Sequence, residues 1–212
     1  HPIFEKVYPI IDIMVVGCSK DENKMIDVLG NGGIGKLSDF AEDPIERELF
    51  LELDSLISSQ NKEEDINQYY KFVCENYDYL KNRDKQFIPF MAGAFIMHLM
   101  VAADKGEFML NDALRCLSII EENGDEFRRN DWSKFVLNSA GIIANMSFFC
   151  ENVNVASQLF DVAQKLFYKY HEIEDRPEAK KANLDIEGRY YFYIANYLYK
   201  IKDFDKALSF VE

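Results

Sequence analysis

Breakers are scarce in this 212-residue chain: 5 prolines and 10 glycines, with three of the glycines crowded into positions 30–33. So few interruptions suit a mostly helical protein. Basic charge is also short, with 24 Lys and Arg against 37 Asp and Glu and a formal net charge of −13. That balance excludes this segment as a binder of a phosphate backbone, because no cation excess is present to displace counterions. The four cysteines, Cys18, Cys74, Cys116 and Cys150, are far apart and form no CxxC pair. Buried reduced thiols are the expectation, and with them a cytoplasmic setting. The three histidines, His1, His98 and His171, are too dispersed for a metal set. No triad order, nucleophile elbow or His/Glu metal spacing is present, so the chain does not read as an enzyme and calls for no cofactor.

Long apolar runs are lacking too. The most apolar stretch, Phe87 to Ala103, falls short of a membrane span and reads as a central buried helix, with Pro89 tolerated near its start. No basic leader stands at the start, His1 is not an initiator methionine, and the chain stops inside a helix. The expectation is a piece of a longer cytoplasmic protein.

What is present is apolar and aromatic content sufficient for a large core, at 48% and 14% of residues. Residues 1–42 read as an irregular part. Ile10 to Val16 fits a strand or a helix, with helix favoured because Phe4, Val7, Tyr8 and Ile11 share a face. Lys20 to Leu29 reads as a short helix. The loop Gly30-Asn-Gly-Gly-Ile-Gly-Lys-Leu-Ser38 resembles G-x-x-x-x-G-K-[ST], but Leu37 stands where a Mg²⁺-binding hydroxyl is needed. Glu52-Leu-Asp54 is a poor Walker B, and no further strands follow. A flexible glycine connection is the favoured reading of 30–36; a nucleotide-binding protein with a degenerate phosphate loop is the alternative.

Helical signals are plain from residue 43 onward. Asp43-Pro44 caps and opens a helix through Leu56. A second helix is expected over Glu63 to Leu80, with Ile66, Tyr69, Tyr70, Val73 and Tyr77 on its apolar side. His98 reads as a core or groove histidine, and Trp132 opens a helix behind Asn130 or Asp131. Glu121 to Glu126 and Glu172 to Glu178 read as solvated acidic turns.

Within 43–212 the sequence repeats. Ile143-Ala-Asn145 recurs as Ile194-Ala-Asn196, and twelve residues after each of these alanines comes another, Ala156 and Ala207. The joints before them, Asn152-Val-Asn-Val and Asp203-Phe-Asp-Lys, agree in type, with Asn152 and Asp203 as helix caps. A looser third copy runs from Glu107 to Ala113. Over 189–212 the pattern resembles the tetratricopeptide repeat family: Tyr191, Ile194, Ala195, Leu198 and Ala207 fit its large, apolar, small, large and small positions. Val211 replaces that family's later phenylalanine, and the spacings of 43 and 51 depart from its usual 34.

That resemblance implies an all-α fold, roughly ten helices in antiparallel hairpins stacked as a right-handed TPR-like solenoid, with residues 1–212 as one helical-repeat domain. It also implies a concave groove lined by Asn138, Gly141, Asn145 and Phe148 in one copy and Arg189, Phe192, Asn196 and Tyr199 in the next. Asparagines there can bracket the backbone of a peptide, the aromatics can supply apolar area and Arg189 can meet a carboxylate. The competing reading makes the asparagines inter-helix hydrogen bonders and the aromatics packing residues. Tyr190, Tyr193 and Tyr197 are expected to face neighbouring helices. The acidic charge and irregular repeats further resemble the peptide-sensing domains of Gram-positive transcription regulators of the Rgg and PlcR kind. Those imply quorum sensing, a signalling peptide in the groove, an N-terminal helix-turn-helix and a homodimer. A peptide- or protein-binding module is thus the leading expectation, with a scaffold for a folded partner as a further alternative.

Overall fold

The computed structural model describes residues 43–58, 62–83, 85–128 and 132–210. The loop at 30–36, the segments before it and the caps Asn130 and Asp131 lie outside the described residues. Every regular element among the described residues is helical, and none is a strand. The described residues fall into two compact units that part between Val101 and Ala102.

Among the described residues the first unit begins with α1 (Pro44–Ser58). Asp43 caps it as the sequence predicts: its Oδ1 accepts from the backbone N–H groups of Ile45 at 2.9 Å and Glu46 at 3.0 Å, and Pro44 takes the first turn, where no N–H is needed. The tyrosine hydroxyl of Tyr79 donates to the other oxygen of Asp43, and the guanidinium of Arg83 joins Glu46 at 3.1 Å. The expected helix over 63–80 is broken in two, α2 (Lys62–Glu75) and α3 (Tyr77–Arg83). At the junction the Asn76 N–H still donates to the Phe72 carbonyl at 3.0 Å and the Leu80 N–H to the Asn76 carbonyl at 2.9 Å, while the Asn76 side-chain amide adds a second bond to Phe72 at 3.0 Å.

After a 3₁₀ turn at Lys85–Phe87 comes α4 (Ile88–Asp104), buried along most of its length as its composition predicts. Tyr69 ties α2 to it through a 2.9 Å bond to the carbonyl of Phe90. His98 is half-buried and stacks on Tyr70 with ring centroids 3.8 Å apart.

The second unit holds α5 (Leu110–Glu122), α6 (Gly124–Arg128), α7 (Trp132–Phe149), α8 (Val153–Ile173), α9 (Pro177–Ala182), α10 (Leu184–Lys200) and α11 (Phe204–Leu208). Helix α8 packs on α7 and α5, while α7 also packs on α10. Small residues on α7, among them Ser133, Ala140, Ala144 and Ser147, are buried and let the helices approach closely. The buried hydroxyls of Ser139 and Ser147 are satisfied by the carbonyls of Phe135 and Ala144 on their own helix. The repeat joints hold. Asn152 caps α8 through Asn154 and Val155, and Asp203 caps α11 through Lys206.

Two helix ends share a feature absent from the sequence reading. Gly106 follows α4 with φ +79°, and Lys202 follows α10 with φ +65°. At both, paired backbone bonds close the last turn: Glu107 N–H to Ala102 and Gly106 N–H to Ala103, Asp203 N–H to Leu198 and Lys202 N–H to Tyr199. Glycine enters this left-handed conformation freely, whereas Lys202 does so at a cost of about 1 kcal/mol.

The expectation of a solvated acidic turn at 172–178 is corrected. Glu174 is 1% exposed, and Glu126 is buried as well. The Glu174 carboxylate receives the Arg176 guanidinium at 2.9 and 2.8 Å, the Arg176 backbone N–H at 3.0 Å and the hydroxyl of Ser133 at the start of α7. Arg176 donation, outweighing burial, holds this carboxyl well below its ordinary value, at about 2. A depressed carboxyl contributes stability above its unfolded value near 4.5 and loses that contribution as pH falls toward about 2. Glu174→Gln is therefore expected to lower stability by about 2 kcal/mol at neutral pH. It should also flatten the acid limb of a pH series of urea melts between those two values.

Candidate functional site

The predicted groove residues come together on one pair of helices. Asn138, Gly141, Asn145 and Phe148 repeat at steps of three or four along α7, so they form one stripe. Arg189, Phe192, Asn196 and Tyr199 do the same along α10. The two helices run in the same direction. The ammonium of Lys200, at the end of α10, donates to the carbonyls of Phe148 at 2.6 Å and Cys150 at 2.8 Å, at the end of α7. Both helices are antiparallel to α8. Phe160 near the start of α8 stacks on Tyr197 near the end of α10, at 4.6 Å. Phe167, farther along α8, stacks on Tyr190 near the start of α10, at 4.1 Å and 3°. Ser133 and Glu174 join the start of α7 to the end of α8. Asn138 thus lies level with Arg189, and Asn145 with Asn196, in keeping with the offset of 51 in the sequence.

The side chains of α10 divide by exposure. Tyr190, Ile194, Tyr197 and Leu198 are buried, whereas Arg189, Phe192 and Tyr199 are exposed, the last two by 63% and 68%. The expected inward placement of Tyr190 and Tyr197 holds, and Tyr193 is half-buried.

The two asparagines of α7 differ from their partner on α10. Asn138 and Asn145 are half-buried, yet Nδ2 of Asn138 and Oδ1 of Asn145 are shut off from solvent with no hydrogen-bond partner. Asn196 instead donates back to the carbonyl of Phe192 at 2.8 Å. The inter-helix bonding role weighed for these side chains is therefore not what the two orphan atoms do. Phe148 is half-buried beneath Lys200, whose ammonium stands 6.0 Å from the ring centroid.

Lys200 is the residue the sequence reading missed here. A cation in the last turn of a helix usually serves its own C-terminus, and only the parallel packing of α7 and α10 turns this one onto its neighbour.

A second unpartnered polar pair lies between α1 and α2. Oε2 of Glu52 and Oδ2 of Asp65 are buried without donors, while the Ser55 hydroxyl bonds the other oxygen of Asp65 at 2.9 Å. Burial, with Glu48 and Asp65 nearby, pushes the Glu52 carboxyl up. No group of three or more His, Cys, Asp and Glu side chains suited to a metal ion occurs among the described residues, and no described helix is long and apolar enough to cross a membrane. Comparison with protein-family models, curated proteins and solved structures finds no match.

Proposed function

We propose that this chain is a non-enzymatic peptide- or protein-binding helical-repeat module. In this reading its hairpins stack as a right-handed TPR-like solenoid, and an extended peptide lies along α7 and α10. The observation that carries it is the exposed stripe of Arg189, Phe192 and Tyr199 on α10, level with the half-buried and incompletely satisfied amides of Asn138 and Asn145 on α7. A buried amide atom without a partner costs about 1–3 kcal/mol, a cost relieved when the side chain turns outward to a ligand that offers the missing partner. The two side chains stand seven residues apart, about 10 Å along the helix axis. An extended chain covers the same distance in about three residues. Beside them, Phe192 and Tyr199 offer exposed apolar area, and Arg189 is exposed too.

The same reading extends to a cytoplasmic sensor domain of a bacterial transcription regulator, acting as a homodimer with a peptide signal. A fluorescent library of short random peptides tests the core of it. Asn145→Ala is expected to weaken every captured peptide about tenfold, because the hydrogen bond between its amide and the ligand is lost. Asn196→Ala should cost less, since that side chain is partly satisfied within its own helix. Affinities unchanged by both substitutions, or no captured peptide at all, remove the reading.

A further inference from the structure

Helix α10 carries a seam on its exposed side. Gly188, Phe192, Ala195 and Tyr199 follow one another at steps of four, three and four, the spacing by which two helices pack together. Phe192 and Tyr199 are 63% and 68% exposed. Gly188 is exposed, with nothing within 4 Å of a Cβ built on it, and Ala195 is half-buried. Small and large residues thus alternate along the seam. Phe204, at the start of α11, meets Tyr199 edge-on at 5.3 Å and is 54% exposed, so the apolar surface continues past the helix end. At roughly 200 Å² per ring, these three aromatics offer about 370 Å² of exposed surface. Leu184, Ile201 and Leu208 are exposed and add to it. A stable dimer takes about 800 Å² from each partner, of which about 500 Å² is apolar, so six such side chains meet that need.

Charge permits a second copy as well. Between Leu184 and Leu208 stand four acidic and four basic residues, which cancel, although the whole chain carries −13. Two copies meeting here do not set an acidic surface against an acidic surface. Lys202, just past α10, holds the left-handed conformation that Gly106 enters freely after α4. A side chain kept there against its conformational cost has a use that glycine would not serve.

We propose that a second copy of this chain covers this face, with the two α10 helices antiparallel about a two-fold axis at the level of residues 193 and 194. That axis sets Phe192 of each copy against Ala195 of the other, and Tyr199 against Gly188, so every ring meets a small residue. The same register brings Asp185 of one copy level with Lys202 of the other, twice over. A shift of one turn, or a parallel arrangement, sets ring on ring instead. The contact uses the same surface on both copies, so it closes on itself and stops at a dimer. It deepens the reading of this chain as a homodimeric binding module, on which it rests, by naming the surface. A peptide that takes Phe192 and Tyr199 competes with the second copy.

Sedimentation equilibrium of the full 212-residue chain tests the contact, and a dimer is expected at about 10–100 μM. Gly188→Phe, at an open and exposed position, sets a ring against Tyr199 of the second copy and should weaken the dimer at least about tenfold. Adding Tyr199→Ala makes room for that ring and should restore most of the loss. Asp185→Lys and Lys202→Asp should each weaken the dimer severalfold. Their combination in one chain, or an equimolar mixture of the two single variants, should recover the parent affinity. A parent chain monomeric throughout, a dimer indifferent to Gly188→Phe, or a double charge variant no tighter than the single ones overturns the contact. The random-peptide library judges the peptide separately. A monomeric chain that captures peptides overturns the second copy alone, whereas a dimer that answers to these variants and captures none overturns the peptide alone.

Discussion

Replacing Phe167 by alanine is expected to destabilise the second unit by about 3–5 kcal/mol, as large aromatic truncations in well-packed cores do. The residue is 6% exposed, and its ring stacks on Tyr190 at 4.1 Å while meeting the edges of Tyr191 at 5.3 Å and His171 at 4.6 Å. Tyr190 and Tyr191 both belong to α10, so the lost contacts are those that seat α10 on α8. Removing them leaves a cavity, and α10 also loses its alignment with α7. Against a total stability of roughly 5–15 kcal/mol, that loss brings the unit near its midpoint at ordinary temperature. Urea denaturation measures it directly. Amide exchange should show protection lost first along α10, with α7 and α8 still closed. Tyr168, next in sequence but 66% exposed, supplies the control: Tyr168→Ala should stay within about 0.5 kcal/mol of the parent. Equal losses for the two would mean that Phe167 does not anchor α10.

Much of this architecture is legible from the chain because it depends on periodic information. An amphipathic face marks α1, a nearly unbroken apolar run marks α4 and the internal repeat marks α7, α8 and α10, and each forms as a helix. The alanines at 144, 156 and 207 are buried where helices approach, and Asn152 and Asp203 cap as their types require. What escapes the sequence rests on single side chains with a choice of partners. Glu174 lies in an acidic run that looks solvated. It becomes buried only because Arg176 folds back on it and Ser133, forty-one residues earlier, arrives at the same point. Lys202 adopts a conformation that residue type disfavours, held there by the two closing bonds of the helix end.

The same division runs through the candidate site. That Asn138, Asn145, Asn196, Phe192 and Tyr199 share a face follows from spacing alone. Which of the asparagines keep an unpartnered group does not, because the spacing around Asn145 and Asn196 is the same and only the local packing differs. Asn196 lies on a more open helix and can turn back to its own carbonyl, while the orphan atoms of α7 are closed in without that outlet. A repeat that duplicates residue types therefore does not duplicate their energetics.

That difference gives an expectation of unusual sign. Substituting both Asn138 and Asn145 by leucine should make the unliganded chain more stable, by about 2 kcal/mol in all. Each substitution removes a buried polar group that has no partner, replaces it with an apolar side chain of similar size and improves helix propensity. Asn196→Leu, where an existing 2.8 Å bond is lost from a more open position, should be near neutral. Thermal and urea melts distinguish the three variants. In the peptide-binding reading the double leucine variant also loses about a hundredfold in affinity, since both main-chain partners of the ligand vanish together. Stability rising while binding falls is the signature of side chains kept for a ligand at the expense of the fold. A double variant less stable than the parent would mean that both amides already serve the packing of α7 against its neighbours, and the site would have to be sought on another face.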